Sequence, residues 1–493
     1  MNLRFPKDLR GLSRLFWGMV VVFMPITSFR FFPFLGRDTM VRPLSFYPLA
    51  VLLVILVIRI IKKDLKLRLN GSLFLFGLFL AVALAASILG AVQNPVPMHG
   101  QEYVGRTLRA WVTLAGGMAF FIGTLLMNQE EDDLRFTLKW LYIGLAASIV
   151  WGAIQMVSYY TGIPGRAVLN KFQTIFSVRH LLIKKRVAGF AYEPSWLANQ
   201  LATVYLPWML AAMVSGYRVF KRKWIEPVLF VGAVVLLICT FSRGGILMST
   251  GSCGLVLLLT QGKLFRKGWN WMLSPFHKGQ TSLHKVRSIA IRLGIVTVCV
   301  GAVAVTGVVL ARNPYFSKIW KSNKTTFSEY MVDIYAGPRL AYASAGFGIF
   351  QDHPLTGVGL GASGLYMYDY IPEWSRTSLS EITRQLVYNA WLYPNPKDLF
   401  IRLLAETGIL GFGLYIIFLL NNLGQVLVIL RKDEKIFQFL GVTGLTTWIV
   451  LLFYNLTQDS FIDPNGWLNL GIFLAMSAGL LEIKKAASRK PDE

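Results

Sequence analysis

Residues 227–260 read PVLFVGAVVLLICTFSRGGILMSTGSCGLVLLLT, and Arg243 is the one charge among them. A helix that crosses a membrane needs roughly 20 mostly apolar residues, so this run is too long for one crossing. A charge in mid-bilayer costs a few kcal/mol or more. Two glycines follow Arg243 and allow a tight turn. The run therefore divides at Ser242-Arg243-Gly244 into two crossings, 227–241 and 244–260.

The rest of the chain extends that reading. Further apolar runs lie near 15–34, 44–61, 71–92, 108–127, 136–160, 196–215, 289–310, 408–430, 436–455 and 467–481, giving twelve candidate spans. The 493 residues are 54% hydrophobic and 15% charged, with mean hydropathy +0.52, against about 25% charged in soluble domains. A disordered chain, a coiled coil, a collagen and a disulfide scaffold are excluded. The fold class is an all-α polytopic membrane protein with about 12 transmembrane helices and a large extracytoplasmic loop. The expected organisation is helices 1–5 over 1–160, a first long outer loop over 161–195 and helices 6–9 over 196–310. A large outer loop follows over 311–407, then helices 10–12 and a tail over 408–493. The basic N-terminus runs into an apolar stretch with no small-residue cleavage site, so a retained first helix is expected.

Charge orients the chain. Lys and Arg number 50 against 25 Asp and Glu. In a soluble protein this would suggest nucleic acid; here it reads as the positive-inside bias of short loops, and no nucleic-acid partner is expected. With the N-terminus in the cytoplasm, the inner segments hold 27 basic residues and the short outer loops 5. Both termini are then cytoplasmic, in a multi-pass protein of the cytoplasmic (inner) membrane. The segment 261–288, with its two tryptophans, His277 and His284, reads as a membrane-surface anchor. The two long outer segments carry 15 further cations, Lys184, Lys185 and Arg186 among them. An anionic ligand would answer these; so would anionic lipid headgroups. Cys239, Cys253 and Cys299 sit in apolar runs without metal-ligand spacing, so no disulfide framework, metal site or cofactor is expected.

Four stretches carry candidate chemistry. In Arg186-Val187-Ala188-Gly189-Phe190-Ala191-Tyr192-Glu193-Pro194-Ser195, Pro194 fits the first helical position and Glu193 the N-cap. Glu193 is then either a capping acid or a general base beside cations. Arg243 either snorkels to the interface or clamps a diphosphate with its planar fork, the glycines letting a bulky ligand approach. In the third stretch, Gly337-Pro338-Arg339 opens a helix expected to end before His353-Pro354. His353 is either a structural residue before a turn or a catalyst. The following Gly357-Val358-Gly359-Leu360-Gly361 offers backbone amides to an anion. Its literal dinucleotide-binding pattern lacks the strand–turn–helix context and is rejected. In the fourth, Lys397 and Asp398 precede a helix in which Arg402 and Glu406 are spaced to pair.

Ser242-Arg243-Gly244-Gly245, then Arg339 ahead of His353-Pro354-Leu355-Thr356-Gly357-Val358-Gly359-Leu360-Gly361, then Leu403-Leu404-Ala405-Glu406-Thr407-Gly408-Ile409-Leu410-Gly411, in this order, resemble the O-antigen ligase and polymerase superfamily. The resemblance is best over 180–430. It implies a fold similar to C-type glycosyltransferases and an inverting, metal-independent transfer from an undecaprenyl-diphosphate-linked oligosaccharide in the lipid bilayer. On that reading Glu193, Arg339 and His353 are catalytic candidates. Arg186, Arg243, Arg339, Lys397, Asp398 and Arg402 are candidates for holding diphosphate and glycan. The ligases share a His-Asn pair where this chain has Lys397-Asp398, whereas Arg186 to Ser195 resembles the Arg…Gly-x-x-x-Glu-Pro-Ser stretch of polysaccharide polymerases. A polymerase, with a chain-length regulator as a further partner, is therefore favoured over a ligase. A lipid-linked oligosaccharide flippase would show two similar halves, and none is apparent. A basic scaffold for envelope assembly is the other non-enzyme alternative.

Overall fold

The computed structural model describes residues 8–31, 40–66, 68, 70–93, 95–181, 185–273, 282–386 and 393–487. Lys184 and His277 lie outside them. Among the described residues there are only helices, turns and two isolated bridges, Ser28 with Arg42 and Met98 with Gln101. Among the described residues, eight helices are long and apolar enough to cross a membrane: Gly71–Gln93, Tyr103–Met127, Glu131–Thr161, Pro194–Ser215, Arg243–Thr260, Val286–Arg312, Leu399–Leu430 and Lys435–Asn455. Phe46–Ile61 and Ile225–Cys239 are shorter apolar helices. The protein is an all-α polytopic membrane protein.

Gly71–Gln93 shows how these helices pack. Phe76, Phe79, Ala83, Ala86 and Gly90 are buried at helical spacing, while Phe74, Leu84, Ile88 and Val92 are exposed. In lipid the apolar outer face costs nothing, and association depends on close packing. The buried face lies against Leu399–Leu430, where Phe76 and Phe79 join Tyr415, Phe418 and Trp467 in an aromatic cluster.

The break expected at Ser242 is present. Ile225–Cys239 ends, Phe241 takes φ +48°, and Ser242 caps Arg243–Thr260 by accepting from the Gly245 N–H at 3.4 Å. The first expected span, 15–34, is not one helix. Leu9–Val22 stops ahead of Pro25, which has no N–H for the ladder. Thr27 and Phe29 instead pair with Arg42 across the chain.

Two irregularities shape the long helices. Pro194–Ser215 contains a π turn at Leu201–Tyr205. Asn469 fills it: its amide donates to the carbonyls of Thr203 and Val204 at 2.7 and 3.2 Å and accepts from Trp208 Nε1 at 2.7 Å. Leu399–Leu430 breaks at Gly408 (φ 60°, ψ −167°), a conformation open essentially to glycine alone. There the Ile409 and Leu410 amides donate to the Pro354 and Leu355 carbonyls.

The long segment between Arg312 and Leu399 is helical too. Gly337–Asp352 starts with Pro338 in its first turn and ends at His353, as expected, and packs against Leu399–Leu430. The glycines at 357, 359 and 361 all take positive φ. Their expected role as an anion cradle is not what the geometry gives. The amides of Val358 and Gly359 donate to the carbonyls of Ala405 and Glu406, and that of Leu360 to the Ser87 hydroxyl. The run is a wedge that binds the segment to two membrane helices.

Candidate functional site

Four residues separated in sequence line one cavity of about 380 Å³: Arg186, Glu193, Arg243 and Arg339. Three helices begin on its wall. Pro194–Ser215 contributes Pro194 and Ser195, Arg243–Thr260 contributes Arg243 and Gly244, and Gly337–Asp352 contributes Arg339. Helix N-termini carry partial positive charge and free amides. Together with three guanidiniums they make a wall suited to an anion of high charge.

Arg186 is 8% exposed and donates Nε to the Thr240 carbonyl at 2.8 Å. Burial lowers its pKa, and neighbouring Tyr315 and Glu193 work against that fall. Arg243 faces the same tyrosine, but it is not the free fork that the sequence suggested. Its Nη1 donates to the Ile334 carbonyl at 2.6 Å and its Nη2 to the Tyr315 carbonyl. The arginine thereby ties the 311–407 segment to the membrane helices. Of the two glycines after it, Gly244 faces open space, whereas a Cβ on Gly245 would overlap Ala198. Gly245 lines the cavity and also lets its helix pack closely on Ala198. Arg339 is exposed, and among the described residues no hydrogen bond or ion pair holds its guanidinium.

Glu193 occupies the N-cap position ahead of Pro194, yet its carboxylate makes no cap hydrogen bond. Oε2 accepts from Arg179 Nη1 at 2.8 Å, and Oε1 accepts from the Ser195 hydroxyl. The capping-acid reading is thereby displaced, and the carboxylate stands on the cavity wall among cations.

The other four candidates do not line this cavity. His353 caps the C-terminus of Gly337–Asp352, its carbonyl accepting from Gly357 at 3.1 Å and its ring 5.6 Å from that of Tyr366. This is the structural placement. Lys397 pairs with Glu381, lies 4.7 Å from the Tyr342 centroid and donates its backbone N–H to Asp459 at 3.2 Å. Asp398 caps Leu399–Leu430 by accepting from Ile401 at 3.0 Å; burial raises its carboxyl pKa. Arg402 is internal: it donates to Glu406 at 3.0 Å and to the Asp459 carbonyl at 2.6 Å, while Ser363 donates to the other Glu406 oxygen at 2.8 Å. Its spacing to Glu406 signalled a pair, and a pair is found.

The cavity also contains residues that the sequence reading passed over: Asn199, Tyr315, Tyr335 and Thr457. Asn199 sits four residues after Ser195, so helical periodicity carried a signal for it. Tyr315 follows an ordinary Asn-Pro cap and had none. Among the described residues, no group of three or more His, Cys, Asp or Glu side chains could hold a metal ion.

Residues 228–416 match the family described as O-Antigen ligase. The match covers less than half of the chain and supports its likeness to the O-antigen ligase/polymerase superfamily. The matched residues include Arg243 and Arg339, whereas Arg186 and Glu193 precede them. No curated protein matches the chain. That match supports a ligase/polymerase-type, glycosyltransferase-like activity, and the apolar helices fit a multi-pass membrane protein.

Proposed function

We propose that the protein is a polysaccharide polymerase that joins undecaprenyl-diphosphate-linked oligosaccharide units at the outer face of the cytoplasmic membrane. The observation that carries this reading is the convergence of Arg186, Arg243, Arg339 and three helix N-termini on one cavity with a single carboxylate, Glu193. A glycosyl diphosphate needs its departing charge neutralised, and fixed dipoles and cations do this without reorganisation. In the transfer, an acceptor hydroxyl forms a bond to the anomeric carbon on the face opposite the diphosphate. The bond to the diphosphate oxygen breaks and that oxygen keeps the electron pair. The hydroxyl proton passes to Glu193. Arg339 and Arg186 are the cations with terminal nitrogens left for the diphosphate; Arg243 holds the cavity together.

The reading places both termini in the cytoplasm, the two long segments 161–195 and 311–407 outside, and a chain-length regulator among the partners. The division into 1–160, 161–195, 196–310, 311–407 and 408–493 belongs to the same proposal. A ligase is the second reading, favoured by the description of the matching family.

The deciding experiment gives the purified, solubilised protein one substrate, the undecaprenyl-diphosphate-linked repeat unit, and resolves products by gel. A ladder of lengths, lost in Arg339→Ala, is the expected result. No ladder, followed by transfer once a lipid A-core or other glycan acceptor is supplied, would make the protein a ligase.

A further inference from the structure

Glu193 is held from behind by a residue outside the cavity. Arg179 donates to its Oε2 at 2.8 Å, yet only Glu193 and Ser195 of this trio face the cavity. A side chain at an N-cap ordinarily turns to the amides of the first helical turn. That orientation would point the carboxylate along the helix axis. Here those amides do not receive it, and Arg179 takes the oxygen instead.

Arg179 has a mount of its own. The Val178 N–H donates to the Ser28 carbonyl at 3.0 Å, and the Arg179 N–H to the Ser177 hydroxyl at 3.2 Å. The guanidinium lies 4.9 Å from the Tyr192 centroid. Tyr192 in turn donates its N–H to the Thr27 hydroxyl at 3.1 Å, and its ring is 5.0 Å from that of Trp196. Two consecutive residues, Thr27 and Ser28, thus brace both ends of the arm that presents Arg179 and Glu193. Arm and brace all precede the 228–416 match.

We infer that Arg179 is a positioning residue: it draws the Glu193 carboxylate off the helix end and fixes it toward the cavity, where an acceptor hydroxyl is deprotonated. The inference rests on the reading of Glu193 as the base. Arg179 acts through Glu193 and touches no substrate, so its removal changes turnover and leaves donor affinity alone.

The test measures initial rates for the full-length protein in vesicles, using undecaprenyl-diphosphate-linked glycan extracted from polymer-producing cells. Wild type, Arg179→Gln, Arg179→Lys and Glu193→Gln are compared. Arg179→Gln is expected to lower kcat about 10- to 100-fold with KM for the donor within about twofold, and Lys is expected to restore most of that loss. Glu193→Gln is expected to lose about 100-fold or more in kcat. Wild-type kcat in Arg179→Gln, or a loss confined to KM, overturns the inference while the expected loss in Glu193→Gln keeps the base reading standing. Full turnover in Glu193→Gln removes the base reading, and the inference with it. Should Arg179→Gln not accumulate, Tyr192→Leu, which removes the ring beneath the guanidinium, replaces it. A kcat drop at constant KM is then expected, and unchanged kcat overturns the inference.

Discussion

Arg186 and Arg243 share one aromatic ring: their guanidinium carbons lie 4.5 and 4.2 Å from the centroid of Tyr315. Two like charges this close repel, and the ring quadrupole, worth about 0.5–2 kcal/mol per cation, offsets part of that. Backbone carbonyls supply the rest, Thr240 to Arg186, and Ile334 and Tyr315 to Arg243. The cations are therefore assembled before an anion arrives.

Tyr315→Leu removes the ring but leaves the carbonyl that Arg243 uses. Donor KM is expected to rise roughly 5- to 20-fold, from about 1–2 kcal/mol of lost cation–π attraction. Protein level in the membrane should not change. Steady-state kinetics on vesicles would show it, and an unchanged KM would separate the ring from the cavity's function.

Arg243→Lys keeps a charge and loses the fork that spans two carbonyls. The 311–407 segment should come loose at that point. Trypsin added to vesicles that expose this segment is then expected to cut at Lys318, Lys321 and Lys324 several-fold faster than in wild type. Equal cleavage rates would mean that the two carbonyl bonds do not hold the segment.

Arg339 and Arg402 should fail in opposite ways. Arg339→Ala is expected to abolish product while leaving the thermal midpoint unchanged, because its side chain is exposed on the cavity. Arg402→Ala strands the buried Glu406 without its cation. Breaking one partner of a buried pair costs about 3–5 kcal/mol, so the variant should lose folded protein first. Thermal unfolding followed by size-exclusion fluorescence distinguishes the two.

Much of this was legible in the chain, and for identifiable reasons. A charge with two glycines inside an apolar run forces a break, so the Ser242 cap was readable. Glu193 and Arg243 stand out because polar groups at membrane-helix ends contrast with an apolar background, while Arg186 and Arg339 stand in short motifs ahead of a Glu-Pro-Ser turn and at a Gly-Pro helix start. The failures have a common cause: spacing does not reveal where a side chain's donors go. Arg243 looked free until the Ile334 and Tyr315 carbonyls were seen to occupy it. Gly357 to Gly361 looked like an anion cradle, yet the Val358 and Gly359 amides serve the 405–406 carbonyls, that of Gly357 the His353 carbonyl and that of Leu360 the Ser87 hydroxyl. His353, Lys397 and Asp398 are polar because they end or start helices. Tyr315 gave no signal at all, since one tyrosine after a Pro cap is ordinary in sequence and decisive only in space.

Gly408→Ala would place a methyl group against the Leu355 carbonyl and force φ +60° on a residue with a Cβ. A loss of roughly 1–3 kcal/mol is expected, read as reduced yield of folded protein and a lower thermal midpoint. Full stability in this variant would show that the break in Leu399–Leu430 is not imposed by the Leu355 contact.

The π turn at Leu201–Tyr205 adds a residue to its helix without adding a full turn. Ser195 and Asn199, on one side of it, look into the cavity; Trp208, on the other, is fully buried in the bundle. Deleting one residue there would hardly alter hydrophobic length, so the machinery that inserts membrane helices would accept the shortened segment. The azimuth of everything before the deletion would swing by about a quarter turn or more. On the proposed reading of the cavity, a single-codon loss there is expected to leave membrane insertion intact and to lose turnover, a frameshift in space and not in the message.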